Sequence, residues 1–140
     1  MTTLPRVDTP DALIRGVVST DTTPAAGNGA TVSLALRSDA KATSYQARAR
    51  FATNGRLALS LTRYDGSFAK ETLLTNKIVL KDLPANTRVI VEFSATGSSP
   101  VALKARAWVE GTAQPDWQLK AADATPQRIT GAGVGSVSST

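Results

Sequence analysis

Apolar and polar residues alternate with a period of two along most of this chain. Tyr45, Ala47, Ala49 and Phe51 share one parity, while Gln46, Arg48 and Arg50 take the other. Leu57, Leu59 and Leu61 repeat the pattern, as do Val89, Val91, Phe93 and Ala95, set against Arg88, Ile90, Glu92 and Ser94. Val101, Leu103, Ala105, Ala107 and Val109 follow, with Lys104, Arg106 and Trp108 between them. Successive side chains of a strand point to opposite faces, so each run predicts a half-buried strand. Weaker alternation predicts strands over 12–20 and over 31–37, where Val32, Leu34 and Leu36 share a face. The stretch 68–80 is expected to hold two short strands broken near Asn76. The Gly/Ser-rich end, 129–140, holds Val134 and Val137 and is read as a last weak strand.

Turn residues divide these runs. Asn54-Gly55 is the strongest hairpin signal, because both residue types accept the positive φ that a tight hairpin demands. Tyr64-Asp65-Gly66-Ser67 is a second tight turn, and Ser38-Asp39-Ala40-Lys41, Asp82-Leu83-Pro84-Ala85-Asn86 and Gly97-Ser98-Ser99-Pro100 are connections. Eight to ten strands joined this way, with no helical spacing, indicate an all-β fold, an antiparallel two-sheet sandwich. Residues 1–11, punctuated by Pro5 and Pro10, read as an N-terminal arm or linker, and 12–140 as a single β-sandwich domain.

Composition narrows the chemistry. The 140 residues fit one domain with a substantial core. Aromatics make up 5% of the chain, so Val, Leu, Ile and Ala must build that core. Cysteine and histidine are both absent, which excludes disulfides, thiolate metal sites and the commonest general base and metal ligand. No apolar run reaches the length of a membrane span, and Met1-Thr2-Thr3-Leu4-Pro5 lacks the features of a signal peptide. A role outside a cell would then imply release by lysis or specialised export.

The net charge of +5 raises the question of nucleic acid. The basic residues are dispersed one or two per strand, with no run of four and little aromatic interleaving. Nucleic acid is therefore not an expected partner, and a basic surface suits anionic surroundings instead. Glu71, Glu92 and Glu110 each stand alone on a strand or turn, and no two acidic residues are two positions apart. Paired carboxylates are what glycosidases of two-sheet folds use, so no enzyme activity and no catalytic residue is expected. The same scatter predicts no cofactor and no dedicated metal site.

Two polar faces carry the candidate binding chemistry. Lys104, Arg106 and Trp108 alternate on one strand, and Gln46, Arg48 and Arg50 on another. If these strands are neighbours, they form a cationic surface with one indole. Sugar C–H groups stack on such a ring, and Arg recognises carboxylate or phosphate in a bidentate manner. Arg48, Arg50, Lys104, Arg106 and Trp108 are thus the predicted ligand contacts. The competing reading is a solvated face whose Arg stems cover apolar surface. Trp117, after Pro115-Asp116, is expected to tuck over a sandwich end. Tyr45 and Tyr64 are expected half-buried, with hydroxyls reaching water.

A family likeness rests on an ordered series of phrases. These are Tyr45-Gln46-Ala47-Arg48-Ala49-Arg50-Phe51, Gly55-Arg56-Leu57-Ala58-Leu59-Ser60-Leu61, Thr87-Arg88-Val89-Ile90-Val91-Glu92-Phe93-Ser94-Ala95-Thr96-Gly97-Ser98, Leu103-Lys104-Ala105-Arg106-Ala107-Trp108, Trp117-Gln118-Leu119 and Gly131-Ala132-Gly133-Val134-Gly135. The series resembles a concanavalin A-like (laminin-G-like) jelly-roll domain over roughly 12–138. The likeness is nearest to versions in tail and surface proteins of bacteriophages that infect actinobacteria. It implies an antiparallel two-sheet jelly-roll sandwich on a virion surface, tail or capsid exterior, acting as an adhesion module. The implied partners are other virion subunits and a host cell-wall glycan, with no nucleic acid and no membrane insertion. In such domains the first and last strands lie side by side and further strands flank the matched region. A shortened edge here implies completion by a neighbouring subunit, hence an oligomer, or an edge rebuilt by the chain itself. The alternative role is a capsid decoration (cement) protein that stabilises the particle without binding glycan.

Overall fold

The computed structural model describes residues 2–6, 11–19, 30–39 and 41–139. They form ten strands and no α-helix: β1 (Thr2–Arg6), β2 (Ala12–Val18), β3 (Ala30–Ser38), β4 (Thr43–Phe51), β5 (Leu57–Asp65), β6 (Thr72–Leu80), β7 (Val89–Thr96), β8 (Val101–Val109), β9 (Leu119–Asp123) and β10 (Val134–Ser139). Two antiparallel sheets result. The six-stranded sheet runs β1-β10-β3-β4-β5-β6, and the four-stranded sheet runs β2-β7-β8-β9. They stack face to face, as the alternating pattern requires.

The apolar parity of each strand supplies the layer between the sheets. Leu34, Leu36, Tyr45, Phe51, Leu57, Leu59 and Leu61 enter it from the six-stranded sheet. Ile14, Val89, Val91, Phe93, Val101, Leu103 and Leu119 meet them from the four-stranded one. Ala47, Ala49, Ala95, Ala105 and Ala107 are buried among these larger groups. Alternating large and small inward residues let two twisted sheets interdigitate with few rings.

The β4–β5 hairpin forms where Asn54-Gly55 predicts it. Both residues take positive φ, 66° and 67°, and Ala52 N donates to Arg56 O at 2.8 Å. Gly55 also has no room for a side chain, since a Cβ there would lie 2.6 Å from Leu83 N. The hairpin fixes a register in which Arg48 faces Ser60 and Arg50 faces Ala58.

The stretch 68–80 differs from expectation. It contains one nine-residue strand, β6, with Asn76 paired opposite Ser60. The register against β5 shifts twice, between Leu57 and Ala58 and between Leu61 and Thr62. Each shift skips one residue of β6, Val79 and Leu74. Both pack against the core, while Leu73 and Ile78 remain exposed. These bulges break the period-two pattern in the sequence while the strand itself continues.

At the chain ends, β1 pairs with β10 and β10 with β3, so the first and last described strands lie side by side. Tyr45 also departs from expectation. It is fully buried, and its hydroxyl donates to Asp123 Oδ2 at 2.8 Å while accepting from Ile129 N at 3.0 Å. Arg63 Nη1 reaches the same Asp123 oxygen at 2.9 Å, and Thr125 donates to Oδ1 through both N and Oγ1. Arg37, in a left-handed conformation (φ 58°), donates to Ile129 O and Gly97 O. This network anchors the segment between β9 and β10 across one end of the sandwich.

Candidate ligand groove on the six-stranded sheet

The five predicted contact residues do not form one surface. Arg48 and Arg50 lie on β4, in the six-stranded sheet, and Lys104, Arg106 and Trp108 lie on β8, in the four-stranded sheet. Their side chains occupy the outer parity of each strand, so the two sets look out from opposite sides of the sandwich. The condition for one shared surface is not met, because β4 and β8 belong to different sheets.

The β8 face is filled by its own chain. Glu92, on neighbouring β7, is only 2% exposed. Its Oε1 accepts from Arg106 Nε at 2.7 Å, and its Oε2 accepts from Arg15 Nη2 at 2.9 Å. The loop 110–118 then crosses the face. Pro115 O accepts from Arg106 Nη1 at 2.9 Å, and the Trp117 ring lies 4.1 Å from the Arg106 guanidinium. Trp108 is 6% exposed, with Arg15 and Arg106 each 5.6 Å from its ring. Gln118 Oε1 accepts from Ala107 N, which holds the loop to β8. A buried carboxylate between two guanidiniums with aromatic faces against them is a closed structural unit. Trp117 therefore covers a sheet face through Arg106 and does not close a sandwich end. Lys104 stands on this face, half-buried, beyond the cluster.

The six-stranded sheet carries an open groove of about 640 Å³, whose lining among the described residues comes from strands. Its floor follows from register. Ser138 on β10 pairs with Ser33 on β3, Ser33 with Arg48 on β4, Arg48 with Ser60 on β5, and Ser60 with Asn76 on β6. One polar row thus crosses five strands at right angles to them. At about 4.8 Å per strand spacing, the row is about 19 Å long. Three of its five members are serines, whose short side chains leave the depression. A second row, Thr31, Arg50, Ala58 and Ile78, runs along one side of it.

The charges in the groove are in two states. Arg48 closes on Glu71 in an ion pair and donates to Gln46 Oε1 through Nε and Nη2, at 3.2 and 3.0 Å. This fixes its guanidinium in the floor. Arg50 is exposed on the groove side, whereas Lys77 pairs with the inward Leu59 and so leaves β6 on the other face; no acidic residue among the described residues lines the groove. Ser33, Ser60, Ser138 and Asn76 are not singled out by the sequence pattern. Counting outward from the Asn54-Gly55 hairpin places Ser60 opposite Arg48. The pairings to β10 and β6 join residues too distant, or too disturbed by bulges, for that count to reach.

All three glutamates are held by arginines: Glu71 by Arg48, Glu92 by Arg15 and Arg106, and Glu110 by Arg88. Among the described residues no three acidic side chains gather as metal ligands. Among the described residues no helix is long and apolar enough to cross a membrane. The chain is thus defined as a two-sheet antiparallel β-sandwich with a polar, cationic groove across its larger sheet. No known family model matches it, and neither does any curated protein or solved structure.

Proposed function

We propose that this chain is a non-catalytic binding module of a bacteriophage virion surface, of the concanavalin A-like jelly-roll type, that contacts host-envelope glycan. The observation that carries the reading is the groove, with its row Ser138, Ser33, Arg48, Ser60 and Asn76. Hydroxyl, amide and guanidinium groups at strand spacing match the closely spaced hydroxyls of a saccharide. Exposed Leu73 and Ile78 beside them offer apolar contact to sugar C–H faces. Side-by-side terminal strands support the jelly-roll type, and the sequence likeness supports the virion setting. The binding residues in this reading are Arg48 and Arg50, joined by Ser33, Ser60 and Asn76.

The test is retention of the purified chain on actinobacterial wall glycan, compared with Ser60→Trp, which fills the floor. The expected result is binding by the unaltered chain and loss of most of it in Ser60→Trp, with the melting temperature little changed. Equal retention of both forms, or of neither, would sink the reading.

The second reading, a capsid decoration protein, is favoured by a different observation. Leu13 and Val17 are 53% and 46% exposed on β2, an edge strand. Apolar residues on a sheet edge suit burial against a neighbouring subunit in an assembled state. That role requires binding to assembled particles and a gain in their heat resistance, with no retention on glycan.

A further inference from the structure

The two sheets differ in width on one side. A Cβ on Gly16 of β2 would lie 3.4 Å from Leu34 Cδ2, so the edge strand β2 sits directly over β3. At the other edge β9 packs against β6. The strands β10 and β1 therefore project beyond β2 as a shelf, about 10 Å wide at the usual strand spacing. The core is open above this shelf. Val137 pairs with the inward Leu34, and Ser139 with Val32, so all four share the inner face. Val32 and Val137 are half-buried and Ser139 is exposed, whereas Ala47, Leu59 and Leu61 on the same face are fully buried. Among the described residues no strand pairs with the free side of β2. Every second residue of an edge strand turns its N–H and C=O away from its one neighbour, here toward the space above the shelf.

We propose that this step accepts one extended segment of another protein, paired antiparallel with β2 and lying on β10. The inference is independent of what the groove binds. Geometry excludes a second copy joined edge to edge. A two-fold axis between two β2 strands keeps both shelves on one side of the joined sheet. There β10 and β1 of each copy would occupy the space of β3 and β4 of the other. The occupant is thus a lone strand with no sheet beneath it. Charge defines its centre. Arg15, Glu92 and Arg106 form one cross-strand row on the outer face, two guanidiniums to one carboxylate. Arg15 donates to Glu92 Oε2 through Nε and Nη2, which leaves Nη1 for a further acceptor. An acidic residue opposite Arg15 continues the alternation of charge along the row. Leu13 and Val17, exposed two positions to either side of Arg15, match apolar residues across from them. The inward residues of the segment meet Ile14 and Val137 and are apolar or small. Seven residues span β2, with the acidic one at the centre.

The experiment measures binding of the full chain to labelled Thr-Ile-Val-Glu-Val-Ile-Thr by fluorescence anisotropy, with amide hydrogen exchange followed along β2. The control peptides carry Lys in place of Glu, or N-methyl groups on one or the other alternate set of amides. The protein variants are Leu13→Lys with Val17→Lys and, separately, Arg15→Gln, each verified by thermal melting. The Glu peptide is expected to bind and to slow exchange at alternate β2 amides. The Lys peptide should bind about fivefold or more weakly, a difference that narrows in Arg15→Gln. One N-methylated form should lose about tenfold or more and the other little, because one set of amides faces β2. The double variant should lose about tenfold or more. No binding at millimolar peptide overturns the proposal. Affinity kept by both N-methylated forms overturns strand pairing, and equal affinity of the Glu and Lys peptides overturns recognition by Arg15. Alternate β2 amides already protected in the free monomer would show that the chain closes its own edge. The same protection in a dimer, with its mass read by light scattering, would give the edge to a second copy. Either result overturns the proposal.

Discussion

The two outer faces of the sandwich begin from the same sequence pattern and end in opposite states. On β4 and on β8 alike, cations alternate with inward alanines. On β8, Arg106 lies between the buried Glu92 and the Trp117 ring. On β4, Arg50 lies open beside a row of serines. What separates them is the material that crosses each face. The loop 110–118 delivers Pro115 and Trp117 onto β8, and neighbouring β7 contributes a carboxylate. Among the described residues the groove on the larger sheet is lined by strand residues, and the carboxylate of Glu71 engages Arg48. An alternating cation in a sequence thus tells where a charge points. Whether that charge is available depends on residues far away along the chain, such as Glu92 and Arg15, which are 77 positions apart.

The largest effect separating the faces is on stability. Glu92→Ala leaves Arg106, 14% exposed at its side chain, without its carboxylate and against two rings. Removing one member of a buried ion pair costs about 3 kcal/mol or more. Arg50→Ala removes an exposed side chain and is expected to stay within about 0.5 kcal/mol of the unaltered protein. Urea unfolding of the two variants checks this contrast. Similar midpoints for both would show that the β8 cluster is no more a structural unit than the groove.

The second effect contrasts both faces with the network at the sandwich end. Burial opposes the charge on Asp123, but hydrogen bonds from Thr125, Tyr45 and Arg63 outweigh it and bring its carboxyl down to about 2. An unfolded Asp titrates near 3.8. The folded pKa is the lower one, so this contribution is present above the unfolded value and is lost as pH falls toward 2. The difference amounts to about 2 kcal/mol. Burial, together with the Asp123 contact and against the Ile129 N–H bond, pushes the Tyr45 hydroxyl up to about 12. Here the folded value is the higher one, so stability declines as pH rises from about 10 toward 12. Unfolding free energies across pH should fall on both sides of a plateau. In Tyr45→Phe the alkaline decline attributable to this group should vanish. An unchanged alkaline decline in that variant would remove Tyr45 from the account.

How legible all this was in the sequence depends on the range of the interactions. The strands of the hairpins are readable because inward and outward residues alternate locally, as from Tyr45 to Phe51 and from Val89 to Ala95. The sequence pattern suggests two strands where β6 is one, because its bulges at Leu74 and Val79 turn neighbouring apolar residues inward and leave Leu73 and Ile78 outside. Arg48 and Arg50 were legible as an outward cationic pair. Their serine neighbours were not, since Ser138 reaches Ser33 only after the chain has completed both sheets. The burial of Tyr45 was equally hidden, because its partner Asp123 lies 78 residues downstream. Period-two patterning identifies a face, whereas the layer to which that face belongs is decided by sheet topology.

The smallest effect tests the ring that closes the β8 face. Trp117→Leu keeps an apolar side chain against the Arg106 stem but removes the aromatic face 4.1 Å from its guanidinium. A partly desolvated cation–π contact is worth about 1 kcal/mol, so the variant should unfold at correspondingly lower urea concentration. Trp117→Phe keeps a weaker ring and should fall between the two. Affinity at the groove should not move in either variant, because the two faces share no side chain. A graded loss from Trp through Phe to Leu assigns the ring an electrostatic role in locking Arg106 down. Equal losses in Phe and Leu would reduce Trp117 to a cover whose size alone matters. The closed state of this face would then rest on Glu92 and the Pro115 carbonyl.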